Sequence, residues 1–85
     1  MIAEKRLIVD DLDDKILALL EKRFQITDEI GRTKIMEGIP VQHDLIREKE
    51  IVNRLKENYS NLDPEFIENV YALIFSYAIE RQVNK

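Results

Sequence analysis

Residues 9–34 read VDDLDDKILALLEKRFQITDEIGRTK, and Val9, Leu12, Ile16 and Leu19 recur at alternating steps of three and four before Ile26 and Ile30 resume the pattern. That period is one face of an α-helix. The pattern predicts a single long helix from about Glu4 to Met36. Gly31 inside it costs roughly 1 kcal/mol relative to Ala, which the long flanks can absorb, and the competing reading is a kink there that folds the helix back. Gly38 followed by Pro40 is a stop signal.

Working outward, Asp44 fits the N-cap of a second helix running to about Asn58, with Leu45, Val52 and Leu55 on one face. A third opens with Asp63 as N-cap and Pro64 at its first position, and Leu62 can staple against Ile67 across that start. It runs to about Gln82. From Val70 to Ile79 the chain carries no charge, so this helix must be covered on nearly every side. With two Gly and two Pro in 85 residues there is little turn chemistry for hairpins. The expected fold is all-α, three helices in one domain spanning residues 1–85.

A helix of that length makes a rod of about 50 Å, whereas a compact chain of this size has a diameter near ~30 Å. Two short helices cannot cover its stripe throughout. The economical solution is a second copy, giving an intertwined homodimeric bundle.

Composition removes most chemistries. The chain is 45% hydrophobic and 35% charged, too apolar for intrinsic disorder and too densely charged for a membrane span, so it is expected to be soluble. No cysteine is present, and His43 is the one histidine. Disulfides, thiol nucleophiles and Cys- or His-rich metal sites are therefore not expected. The net charge of -4 argues against nucleic acid as a partner. Near the N-terminus, Asp10 and Asp11 follow the apolar residues too soon for a secretory signal, which places the chain in the cytoplasm.

Several polar residues fall where the core should be. Continuing the spacing from Leu19 places Arg23 on the seam, and Lys34, eleven residues on, lies about 20° from it around the helix. In the second helix Glu48 joins Leu45, Val52 and Leu55, with Asp44 and Arg47 at the margin. In the third, the stripe Ile67, Tyr71, Ile74, Ala78 ends on Gln82. Buried ionic groups are expensive unless paired, so these residues predict one shared polar chamber. Alternatively, Arg23 and Lys34 snorkel at an edge or pair with Glu48. The cations Arg23, Lys34 and Arg47 outnumber Glu48 and Asp44, and such a surplus suits a small anion. Arg6 lies about 25 Å along the axis from Arg23 and cannot share its site within one chain. In a dimer with antiparallel long helices it could enter the neighbour's chamber; otherwise it is a solvated terminal arginine.

This ordered set resembles the small all-helical chorismate mutases. The matching residues are Arg6, Leu12-Asp13, Ile16, Leu19-Leu20, Arg23, Ile30-Gly31-Arg32-Thr33-Lys34, Pro40-Val41, Asp44, Arg47-Glu48, Leu62-Asp63 and Gln82. The resemblance implies a homodimer of three-helix chains that converts chorismate to prephenate, the branch step toward phenylalanine and tyrosine, without a cofactor. It also implies roles. Lys34 and the partner's Arg6 would hold the enolpyruvyl carboxylate, Arg23 the ring carboxylate, and Arg47 would support that positive wall. Glu48 would accept from the ring hydroxyl, helped by backbone near Asp44, and Lys34 and Gln82 would donate to the ether oxygen.

Two departures stand out. Ala78 occupies a position where many members carry a serine, and the loop is one residue longer than a common version, with Gln42-His43 between Val41 and Asp44. His43 is read as a loop residue without a catalytic task. Two rivals remain: isochorismate pyruvate lyase, against which Glu48 argues, and a non-catalytic helical dimerisation or regulatory module, which leaves Gln82 and Lys34 unexplained.

Overall fold

The computed structural model describes residues 1–83; Asn84 and Lys85, the end of the expected 1–85 unit, lie outside the described residues. The helices are α1 (Ile2–Met36), α2 (Leu45–Asn58) and α3 (Pro64–Val83), with no strand among the described residues. α1 begins two residues before the expected start and is continuous through Gly31. The fold-back alternative is therefore excluded.

The helix ends follow their local chemistry. After α1, Gly38 adopts a left-handed φ of 72°, its N–H donates to the Ile35 carbonyl at 3.2 Å, and the Ile39 N–H donates to the Lys34 carbonyl at 2.8 Å. This Schellman cap closes α1 just beyond Lys34. Asp44 caps α2 by accepting from the Arg47 N–H at 3.0 Å. Asp63 Oδ1 accepts from the Glu65 N–H at 3.0 Å, with Pro64 as the first residue of α3. Leu62 and Ile67, the expected staple pair, line one apolar recess with Leu55, Phe66 and Val70.

α3 packs against both α1 and α2 and is the centre of the fold. Phe24 of α1 meets Ile74 and Ala78 of α3, with Leu20, Val70 and Tyr71 packed around them, and Ile51 of α2 is buried too. Tyr77 meets the Phe24 ring edge to face at 4.9 Å.

The buried face of α1 differs from the expected one. Phe24, Asp28 and Gly31 are buried, whereas Val9, Leu12, Ile16, Leu19, Ile26 and Ile30 are exposed in the single chain. Gly31 explains the rotation. Lacking a Cβ, it leaves room for the Gln82 side chain of α3 on its own meridian, which Phe24 and Asp28 share at i, i+4 and i+7. The expected seam, about 100° away, carries the cleft residues Arg23, Ile30 and Lys34. On α2, likewise, Leu45 is exposed and Ile51 is the buried residue.

Length also matters. α1 has 35 residues against 20 in α3, so at ~1.5 Å per residue α3 runs out after about 30 Å. Every residue from 1 to 19 is exposed. The chain measures 55 × 26 × 16 Å with a radius of gyration of 15.8 Å, against the ~12 Å of a compact chain.

A Cβ on Gly31 would lie 2.5 Å from Gln82 Cγ and 3.0 Å from Gln82 Cβ. At an open helical site, replacing Gly by Ala stabilises by about 1 kcal/mol, while overpacking costs ~1–3 kcal/mol. Gly31→Ala is therefore expected to lower the urea midpoint. A rise by the full helix-propensity gain would show that the approach of α3 does not constrain this position.

Candidate functional site

One cleft of about 200 Å³ opens where the three helices converge. α1 contributes Arg23, Thr27, Ile30 and Lys34, three residues or four apart on one face. Asp44 and Gln42 enter from the loop, and Arg47, Glu48 and Ile51 from α2. α3 supplies Phe75, Ala78, Ile79 and Gln82. Six of the seven expected site residues thus share this cleft: Arg23, Lys34, Asp44, Arg47, Glu48 and Gln82. Arg6, the seventh, lies exposed near the start of α1 and does not line it.

Three cations against two carboxylates leave one positive charge in excess, inside a chain whose net charge is -4. Among the described residues neither Arg23 nor Lys34 forms an ion pair, so the expected alternative of pairing with Glu48 does not occur. Arg23 is instead half-buried beside aromatic rings, its guanidinium carbon 5.6 Å from the Phe75 centroid and 5.9 Å from that of Tyr71. Such a placement steadies a cation without consuming its charge. Its donors remain available to an anion.

Glu48 is held by a residue that sequence reasoning set aside. His43 Nδ1 lies 2.5 Å from Glu48 Oε2. The pair spans the α2 N-cap at a separation of five, which helical periodicity does not flag, and it orients the carboxylate from the loop side.

Gln82 is 8% exposed; its Nε2 donates to the Thr27 carbonyl at 2.9 Å, and its buried Oε1 has no partner among the described residues. The bond to a carbonyl fixes which end of the amide is nitrogen. Among the described residues nothing takes the second N–H. Ala78 beside it is buried and offers only a methyl group.

Behind Gln82 lies a second feature absent from the sequence reading. Asp28, 5% exposed, receives two hydrogen bonds from Arg81, Nε to Oδ1 at 3.2 Å and Nη2 to Oδ2 at 2.6 Å. Hydrogen bonding to Asp28 first, and then to Tyr77, holds Arg81 above its ordinary pKa. The available signal was spacing, since Asp28 stands on the Phe24–Gly31 meridian and Arg81 adjoins Gln82.

Among the described residues no cluster of His, Cys, Asp and Glu is arranged to hold a metal ion, and no helix is long and apolar enough to cross a membrane. The arrangement suits a small, multiply charged anion: cationic arms on two walls, one carboxylate acceptor and one neutral amide donor.

Comparison with known proteins agrees in kind. Residues 6–83 match the chorismate mutase type II family. A chorismate mutase of Methanocaldococcus jannaschii is 35% identical over 81 residues, covering 93% of this chain and 77% of that protein. The bifunctional chorismate mutase/prephenate dehydratase of Escherichia coli K12 is 32% identical over 76 residues, covering 87% of this chain but 19% of that protein. A protein of the same name from Shigella flexneri matches equally. The chain therefore spans about a fifth of the length of these bifunctional relatives.

Asp44 lines the cleft and caps α2 with its side chain. Asp44→Ala should lower stability by about 1 kcal/mol at fixed protein concentration, and Asp44→Asn should retain most of it, since an amide oxygen can cap as well. Equal urea midpoints for parent and Asp44→Ala would show that the bond to Arg47 N–H does not anchor the start of α2.

Proposed function

Since the chain belongs to the chorismate mutase type II family, we propose that it catalyses the rearrangement of chorismate to prephenate in aromatic amino acid biosynthesis. The observation that carries this reading is the cleft that draws Arg23, Lys34, Arg47, Glu48 and Gln82 from three helices into one cationic site. The reaction is unimolecular: one C–O bond breaks as one C–C bond forms, with no net proton transfer, redox change or covalent adduct. The protein's task is to fold a flexible dianion into its reactive conformer and to stabilise charge that grows on the ether oxygen.

The proposed roles are those the resemblance to the family implies, and the charge and position of each residue support them. Arg23, steadied by Phe75 and Tyr71, takes the ring carboxylate. Lys34 sits in the last turn of α1, ahead of the Gly38 cap, and takes the enolpyruvyl carboxylate while reaching the ether oxygen. Arg47 adds to the positive wall. Glu48, with Oε2 held by His43, keeps Oε1 for the ring hydroxyl, and Asp44 supplies nearby backbone. Gln82 donates its remaining N–H to the ether oxygen. With Ala78 in place of a hydroxyl, the ring carboxylate rests chiefly on Arg23.

The working unit in this proposal is a homodimer. Apolar side chains along the uncovered half of α1, such as Leu7, Leu12, Ile16 and Leu19, face solvent, as do Phe66, Leu73 and Tyr77 of α3. An antiparallel second copy of α1 would cover them and bring Arg6 of the partner subunit to the enolpyruvyl carboxylate. The cytoplasm is the proposed compartment, consistent with a chain that has no cysteine to pair.

The test is loss of chorismate absorbance with the product identified. Prephenate supports the reading, whereas pyruvate plus an aromatic acid would identify a lyase, and no turnover would remove the enzymatic reading. Gln82→Ala should lower kcat by roughly 10² to 10³ rather than merely raise KM. Gln82→Glu should be active only at acid pH, because a carboxylate donates a hydrogen bond only when protonated and repels the developing charge when ionised. A parental rate and pH profile for Gln82→Glu would contradict contact with the ether oxygen.

A further inference from the structure

Gln82 lies beside Val83, the last described residue of α3, about five turns from the start of that helix. A donor aimed at a reacting atom must be placed more tightly than helix packing alone ensures. Something must hold it.

The preceding residue does. Arg81 grips Asp28 through two parallel bonds, 3.2 and 2.6 Å, which fixes the guanidinium plane as well as its distance. That plane has rings close by, with the Arg81 Cζ 5.5 Å from the Phe24 centroid and 5.6 Å from that of Tyr77. Next to it, Gln82 Nε2 donates to the Thr27 carbonyl. Consecutive residues of α3, 81 and 82, thus dock on consecutive residues of α1, 28 and 27. Gly31, one turn further along, leaves the gap in which the Gln82 side chain lies. Sliding or turning the end of α3 would break both bonds to Asp28.

Net stability is a weak reason to bury Asp28 under a partly exposed Arg81, because desolvation of the carboxylate offsets much of the Coulombic gain. Directional geometry is the better one. We propose that Asp28 and Arg81 are positioning residues that fix the last turn of α3 on α1 and so aim the Gln82 amide into the cleft. This rests on the role assigned to Gln82 above.

The experiment uses the full chain with chorismate as substrate and two alterations of the pair. Arg81→Lys keeps a charge but not the two-pronged geometry. Asp28→Leu with Arg81→Met removes both charges together, a change that buried pairs commonly tolerate without unfolding, so it keeps the test decisive if Arg81→Lys folds poorly. Each is made in the parent and in Gln82→Ala. In the parent, kcat should fall by about tenfold with KM within about twofold, the signature of a lost transition-state interaction. In Gln82→Ala the same changes should alter kcat by less than about twofold, since coupled residues are not additive.

Parental kcat in the folded variants, or an undiminished loss in the Gln82→Ala background, would overturn the proposal. A separate readout is hydrogen exchange of the Gln82 side-chain amide by NMR. It should be protected in the parent and exchange faster in both altered pairs. If Gln82→Ala turns over like the parent, the catalytic reading of Gln82 fails, and the exchange data still decide the positioning: unchanged protection overturns it, faster exchange supports it.

Discussion

The structure depends on a mismatch of length. A 35-residue helix is laid against one of 20 residues, and the remainder of the long helix carries apolar side chains that nothing in the same chain covers. Leu19 at 65% exposure and Leu73 at 74% are not isolated surface leucines but parts of continuous stripes on α1 and α3. Burial of apolar surface is the main favourable term in folding, and the core within one chain is thin: Phe24, Ile51, Ile67, Ile74, Phe75 and Ala78 are its buried apolar residues. The proposed dimer answers this shortage and would give Arg6, which is exposed and does not line the cleft of its own chain, a place in the partner's site.

The helices were legible because their ends are local chemistry. Asp44, Asp63–Pro64 and Gly38 cap or stop a helix by bonds to neighbours a few residues away, and all three act as the sequence implies. The grouping of Arg23, Lys34, Arg47, Glu48 and Gln82 was legible too, since polar residues at helical spacing within apolar stripes must converge somewhere. The face of α1 that meets α3 was not. Periodicity identifies a stripe facing some partner, and here the stripe through Val9, Leu12 and Ile16 is uncovered within the chain while Phe24, Asp28 and Gly31 meet α3. Two pairings also escaped. Asp28 shares the Phe24–Gly31 spacing, but its partner Arg81 lies 53 residues away in sequence, and His43–Glu48 crosses a helix start, so periodicity alone pairs neither.

Charge and geometry divide the work around the cleft. In the proposed reaction Arg23, Arg47 and Lys34 attract the dianion, a local excess of cations in a chain that is acidic as a whole. Gln82 and Glu48 would supply direction in that proposal, and each is held from behind, Glu48 directly by His43 and Gln82 by the Thr27 carbonyl beside the Asp28–Arg81 pair. Gly31 ties the two levels together: the missing Cβ that lets α3 approach α1 is also what makes room for Gln82.

In the proposed dimer a complete site takes residues from two copies of the chain, and mixing two inactive variants is the decisive experiment. Arg6→Ala and Arg23→Ala homodimers should each be nearly inactive. After unfolding and refolding together, about half the dimers are mixed, and in each of these one site receives both intact arginines, so about a quarter of the sites should regain activity under closed two-fold symmetry. Recovery near that level is the expected result. Mixed dimers that form, verified by mass, yet stay as inactive as their parents would contradict a site shared between chains.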